Sequence, residues 1–154
     1  MRRYAERGRI VSGQDDEAVR GRLVEDWWKA GDPADAVMIA HRRRDVADLR
    51  GRAHALMRAA GVLGAEGEAG IAVGDRVVMR RNDRALGVVN GERGTVLGVG
   101  GGELDVEVRG RRVRLNREYV KDSVSLGYAI TGHAAQGMTC GETFVLATDG
   151  LSKE

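Results

Sequence analysis

An unbroken apolar run, Ala36-Val37-Met38-Ile39-Ala40, sits between two stretches of helical periodicity. A run of this length with no polar alternation suits a strand buried on both faces, which is the habit of parallel sheets covered by helices. Before it, Ala18, Leu23, Val24, Trp27 and Trp28 follow helical spacing. Ser12 with Asp15 three residues on resembles a capping box, and acidic Asp15, Asp16 and Glu17 suit a first turn. Gly31-Asp32-Pro33 should stop that helix. After the run, Val46, Leu49, Ala53, Leu56 and Met57 line one stripe of a helix expected over residues 45–60 and ending at Gly61. Arg9-Ile10-Val11 has the character of a further short strand. Helix, buried strand and helix in this order are the grammar of an α/β domain.

The period then changes. Val73, Arg76–Met79, Gly94–Leu97, Leu104–Val108 and Arg111–Leu115 are short runs at even spacing, several alternating apolar with polar residues. Such runs read as half-buried strands, with Asn90-Gly91 and Arg109-Gly110 as hairpin turns between them. Five short strands within about fifty residues suggest a small barrel of SH3-like or OB-like size. Gly98 to Gly102 matches no phosphate-binding spacing and reads as a turn. From Asp122 onward the α/β pattern resumes, with Val124–Ile130 strand-like and Phe144–Ala147 a second buried run. The expected organisation is therefore an α/β lobe in two pieces, residues 1–64 and 123–154, with a β-barrel over 65–122 inserted between them.

Composition excludes several classes. At 154 residues, 42% hydrophobic and 31% charged, the chain suits a globular fold. The net charge of +2 gives no bulk argument for nucleic acid, although Ile71–Lys121 holds 11 basic against 7 acidic residues. Nearly all cations are Arg, whose fork can grip phosphate, but base composition of a genome produces the same bias. Cys140 is the single cysteine, so an internal disulfide is impossible and a reducing compartment, the cytoplasm, is the expectation. No apolar stretch approaches membrane-spanning length, and no apolar segment follows Met1-Arg2-Arg3-Tyr4 to make a signal peptide.

The chemistry concentrates in Gly127-Tyr128-Ala129-Ile130-Thr131-Gly132-His133-Ala134-Ala135-Gln136-Gly137-Met138-Thr139. A strand here ends in hydrogen-bonding side chains followed by small residues. Thr131 and His133 would stand at its carboxyl end, where open parallel sheets bind ligands, and the small residues let a polymer backbone come close. A lone His is usually a structural residue, and His41 and His54, without partners at metal spacing, are read that way. Cys140 could pair with His133 as a nucleophile and base, although no orienting carboxylate accompanies them. Trp27 and Trp28 could stack on bases, but helical spacing favours packing. Arg42-Arg43-Arg44 is either a phosphate-binding tip or a solvated face. Arg111, Arg112 and Arg114 alternate with Val113 and Leu115, as on a strand with one wet face.

The same segment resembles motif V of superfamily 1 helicases, Tyr-Ala-x-Thr-x-His-x-x-Gln-Gly. Gly74–Asp83 and Leu86–Val96 resemble the SH3-like insert of RecD-type helicases, most of all the helicase part of TraA-type conjugative relaxases. Met38–Leu49 resembles the strand and helix that precede that insert. The resemblance implies the second RecA-like lobe of a DNA helicase, a P-loop NTPase-type α/β fold without the phosphate loop. It implies Thr131 and His133 as contacts to single-stranded DNA, Arg80, Arg81 and Arg84 as further DNA contacts from the insert, and Gln136 and Gly137 at the junction with the nucleotide cleft. Between His and Gln the family often has a basic or small pair, and here both residues are Ala. Where it often has Glu two residues after the final Gly, this chain has Thr139.

No Gly-x-x-x-x-Gly-Lys-Ser/Thr loop occurs, no Asp-Glu pair ends an apolar strand, and no Arg-containing motif VI follows Leu146–Gly150 before Glu154. No catalytic or metal-binding residue is therefore expected here. The chain alone should not hydrolyse ATP. ATP and Mg²⁺ would belong to the full-length protein, with the first RecA-like lobe of the same polypeptide as partner and no membrane. The Tyr and His cluster of a relaxase nicking site is absent as well. Two other readings stay open: a non-enzymatic module binding nucleic acid or protein, and a small hydrolase built on His133 and Cys140.

Overall fold

The structure is a computed structural model that describes residues 15–30, 32, 35–136 and 140–147. The strand expected at Arg9–Val11 and the capping role of Ser12 lie outside the described residues. Helix α1 spans Asp16–Lys29, strand β1 Ala36–Ala40 and helix α2 Arg43–Ala59. Then come β2 (Arg76–Met79), β3 (Arg93–Gly100), β4 (Glu103–Val108), β5 (Arg111–Leu115), α3 (Arg117–Ser123), β6 (Val124–Leu126), β7 (Ala129–Thr131) and β8 (Glu142–Leu146). Two compact units form, dividing at Ala53/His54 and at Gly127/Tyr128, so the second is enclosed in sequence by the first.

The first unit is built on a parallel sheet in the order β7-β1-β8. Its central strand is the apolar run, with Ala36, Val37, Met38 and Ala40 all buried. Helix α1 starts at Asp15, whose carboxylate accepts the Glu17 N–H at 3.1 Å, and ends at Ala30. It buries Leu23, Val24 and Trp27. Trp27 is fully buried, donates its indole N–H to the Ala36 carbonyl and meets Tyr128 edge-on at 5.3 Å. Trp27 therefore packs rather than presents a stacking face. Helix α2 buries Val46, Leu49, Ala53 and Met57, the expected stripe, while Leu56 is half-buried. It ends at Gly61 with paired bonds, Gly61 N–H to Arg58 and Val62 N–H to Met57, which satisfy its last carbonyls.

Charge ties the two helices together. Arg20 reaches Asp45 at 2.6 Å, Asp16 at 3.1 Å and Asp48 at 3.3 Å. Arg52 reaches Glu17 at 2.6 Å and Asp48 at 2.8 Å. Asp45 is only 2% exposed. Its hydrogen bond holds the Arg20 guanidinium above the ordinary arginine range, against the opposing effect of burial.

The second unit is an antiparallel sheet in the order β5-β4-β3-β2-β6. Val77, Met79, Val88, Val96, Leu104, Val106, Val108, Val113 and Leu115 form its core with Tyr119 and Val120 of α3. The β4–β5 turn is Arg109-Gly110, where both residues have positive φ (50° and 74°), the twist that hairpins favour. The expected closed barrel is not what the ladders form. β5 and β6 are the two ends of the sheet and pair only with β4 and β2, so the sheet stays open.

Other details also differ from the sequence expectation. Val73 is not in a strand; the neighbouring Glu66 and Ala72 make an isolated bridge. Gly98–Gly100 extends β3 past a bulge, leaving only Gly101-Gly102 as the turn. The fifth strand is Val124–Leu126, so the strand-like run Val124–Ile130 serves two sheets. It breaks at Gly127, where a β-carbon would lie 3.1 Å from the backbone carbonyl carbon of Val77, a crowded contact that a side chain could make only if the backbone gave by a few tenths of an ångström.

Candidate nucleic-acid interface

In the parallel sheet, register places the carboxyl ends of three strands side by side. Ala40 of β1 faces Thr131 of β7 on one flank and Leu146 of β8 on the other. Neighbouring strands lie about 4.8 Å apart, so whatever follows each strand shares one edge. From β1 that is His41-Arg42-Arg43-Arg44, and from β7 it is Gly132-His133. Strand β7 is itself pinned, because Arg50 donates from Nε to the Ala129 carbonyl at 2.8 Å.

Thr131 shapes the turn beyond β7. Its Oγ1 accepts the Ala134 N–H at 3.2 Å, and its carbonyl accepts the Ala135 N–H at 3.1 Å. The Gln136 N–H closes on the His133 carbonyl at 3.3 Å. These bonds use Thr131 Oγ1 as an acceptor and leave its hydroxyl proton to be given elsewhere. His133, Ala134 and Gln136 are exposed and Thr131 is half-buried. Among the described residues nothing engages the His133 ring. The fold therefore brings Thr131, His133 and Gln136 into one turn, while Gly137 lies outside the described residues. Cys140 Sγ lies 3.3 Å from Thr143 Oγ1, and among the described residues no hydrogen bond joins it to His133.

Arg80, Arg81 and Arg84 belong to the second unit, in the loop between β2 and β3. That loop is braced by its own side chains. Asn82 accepts the Asn90 N–H at 2.7 Å, Asp83 the Leu86 N–H at 3.0 Å and Glu92 the Val89 N–H at 2.8 Å. Arg80 donates to Ser125 Oγ at 3.2 Å. Arg81 sits 5.2 Å above the Tyr119 ring, and its carbonyl accepts the Tyr119 hydroxyl at 2.5 Å. Burial above all pushes that phenol above its ordinary pKa. Arg84 has no side-chain partner among the described residues. All three arginines are exposed on a loop whose shape is set in advance.

Arg111, Arg112 and Arg114 are otherwise occupied. Arg114 and Arg112 both hydrogen-bond Asp105 and hold its carboxyl down at about 2, while Arg111 donates to the Gly87 carbonyl at 2.6 Å. His54 lies against buried Asp75, with Nδ1 3.1 Å from Oδ1, which agrees with a structural reading. The described residues contain no group of three or more His, Cys, Asp or Glu placed to hold a metal. No described helix is long and apolar enough to cross a membrane.

No protein-family profile matches the sequence. Curated relatives do. The probable conjugal transfer protein TraA of Sinorhizobium fredii (strain NBRC 101917 / NGR234) is 32% identical over 97% of this chain. The conjugal transfer protein TraA of Agrobacterium fabrum (strain C58 / ATCC 33970) is also 32% identical over 97% of it. The chain is homologous to a segment of the TraA conjugal transfer proteins. It spans 15% of the length of either TraA relative. The multifunctional conjugation protein TraI of Escherichia coli (strain K12) matches 52% of the chain at 34% identity, which is 5% of TraI.

Among solved structures, a Bacteroides Pif1 helicase in complex with ADP-AlF3 and ssDNA superposes on 88% of this chain and 40% of its own. The TM-score is 0.54 and the identity 18%. A second Pif1 structure, of two coordinating helicases at forked dsDNA, covers 86% of this chain and 37% of its own, with TM-score 0.51 and identity 21%. At such identities the likeness concerns fold alone: a RecA-like α/β unit with a parallel sheet.

Proposed function

We propose that this chain is a segment of an ATP-dependent DNA helicase motor of the TraA conjugative type, supplying contacts to single-stranded DNA from a second RecA-like lobe. The observation that carries this reading is the similarity to TraA along nearly the whole chain. Thr131 and His133 are the DNA contacts of the sheet edge, offering a hydroxyl and an imidazole to phosphate oxygens. Arg80, Arg81 and Arg84 add phosphate contacts from the braced loop of the second unit. Gln136 and Gly137 border the nucleotide cleft of the intact motor.

ATP and Mg²⁺ belong to that intact motor. This chain has neither a phosphate-cradling loop nor a metal-binding acid pair, so its residues do not fit Mg-ATP on their own. The missing first RecA-like lobe is the partner that would supply both, and no step of hydrolysis is assigned to this chain. Its work is to hold the strand while the other lobe moves.

Titration of labelled single-stranded DNA with this chain, read by fluorescence anisotropy at two salt concentrations, tests the reading. Weak binding that falls with added salt is expected. Thr131→Ala/His133→Ala should weaken it about fivefold or more, the scale of about 1 kcal/mol expected for lost polar contacts. Absence of binding at low salt would overturn the proposal.

A further inference from the structure

The three consecutive arginines at the end of β1 are placed against local electrostatics. Arg42 accepts the Asp45 and Val46 N–H groups through its carbonyl, so it stands at the N-cap of α2, with Arg43 and Arg44 in the first turn. The positive end of a helix macrodipole disfavours cations there, and Ser, Thr, Asp or Asn would be the stabilising cap. The acidic residue of that turn, Asp45, is buried and committed to Arg20. Asp48, one turn on, is held by Arg20 and Arg52. Among the described residues no side-chain hydrogen bond or ion pair engages Arg42, Arg43 or Arg44, and all three are exposed. Three uncompensated cations on a cationic helix end are tolerable when a polyanion covers them.

The register says which polyanion contact they would join. Ala40 and Thr131 are paired neighbours, so the arginines start two residues past β1 and His133 lies two residues past β7, on the same sheet edge of the same unit. We infer that Arg42, Arg43 and Arg44 extend the phosphate track of Thr131 and His133 across the sheet edge, so that a single-stranded nucleic acid runs from the end of β7 over the end of β1, transverse to the strands. The inference rests on the reading of this chain as a single-stranded-DNA-binding segment and adds its second row of contacts. Guanidinium forks pair with phosphate oxygens while making no demand on base identity, so the added contacts are sequence-independent.

The test compares three proteins on a labelled oligo(dT): the natural chain, Arg42→Gln/Arg43→Gln/Arg44→Gln, and a control with the same charge loss among exposed cations elsewhere, Arg22→Gln/Lys29→Gln/Lys121→Gln. Each neutralised phosphate contributes about 0.7 to the slope of log K against log salt for a single strand. The arginine variant should therefore lose up to about 2 in slope and at least about tenfold in affinity near 50 mM salt. The control should keep the natural slope. Thermal melting should show the arginine variant folded, with its midpoint unchanged or raised, because cations leave the positive helix end. Binding by the natural chain with an unaltered slope in the arginine variant would overturn the inference and leave the DNA reading standing. Equal losses in variant and control would also overturn it, by reducing the effect to net charge. No binding by the natural chain would overturn the DNA reading itself, and this inference with it.

Discussion

Trp27→Ala is expected to cost about 3–5 kcal/mol, as for other fully buried aromatic side chains cut back to a methyl group. The residue has no exposed surface, packs edge-on against Tyr128 and closes the Ala36 carbonyl with its indole N–H. Truncation opens a cavity against β1 and leaves that carbonyl without its side-chain partner. Domains of this size hold about 5–15 kcal/mol in total, so the first unit should be largely or wholly unfolded at moderate temperature. Far-ultraviolet circular dichroism against urea would read the change. Trp27→Phe, which keeps the packing and drops the donor, should lose much less. A loss below about 1 kcal/mol for Trp27→Ala would mean that α1 does not depend on this contact.

Arg20→Met should cost a similar amount, about 3–5 kcal/mol, for a different reason. Removing the guanidinium strands the Asp45 carboxylate, 2% exposed, without its 2.6 Å partner. An unpaired buried charge is far more costly than a missing ion pair. The double change Arg20→Met/Asp45→Leu should therefore recover most of the loss, because an apolar pair of similar volume often replaces a buried bridge at little cost. The pH sign also follows. Asp45 holds the Arg20 proton more tightly in the folded chain than in the unfolded one. The stability this contributes is complete at neutral pH and fades only in strong alkali, so the cost of Arg20→Met should not vary across the neutral range. Chemical denaturation of both variants at two pH values checks the size and the sign together.

Much of the fold was legible because its signals are local. Ala36–Ala40 shows a buried parallel strand by lacking alternation, and Arg109-Gly110 shows its turn because a Gly between alternating runs is a hairpin signal, although the positive φ of Arg109 is one that its side chain disfavours. What was not legible depends on distant partners. Val124–Ile130 reads as one strand, since nothing in its own pattern says that the backbone at Val77 crowds the position of Gly127. Helix α3 leaves no periodic signal, because its seven residues make too short a window. Its one cue is Asn116, which caps it through the Tyr119 N–H at 2.8 Å. Closure of the barrel was expected from strand count, but counting strands cannot say whether the outer two pair with each other.

The site divides in the same way. Thr131 and His133 stand out as a polar cluster after a strand, and the structure places them in one turn, with His133 exposed and Thr131 half-buried. The position of Arg42–Arg44 beside them was invisible in the sequence, because it requires β1 and β7 to be neighbours. Cys140 is a candidate by nearness along the chain, yet the hydrogen bond its thiol makes is with Thr143.

That neighbouring pair also sets an order of events in folding. Met38 and Ala129 meet in register although 91 residues separate them along the chain. Closing so long a flexible loop is entropically costly, and each halving of its length spares about 0.6 kcal/mol. The antiparallel unit between them is largely a run of hairpins joining adjacent strands, which need no such closure. Once it condenses, most of the intervening chain ceases to be flexible and the search that brings β7 to β1 becomes short. Amide protection in pulsed hydrogen exchange should therefore rise first in β3, β4 and β5 and only later in β1 and β7. The insert would then act as the clasp that makes the parallel sheet reachable.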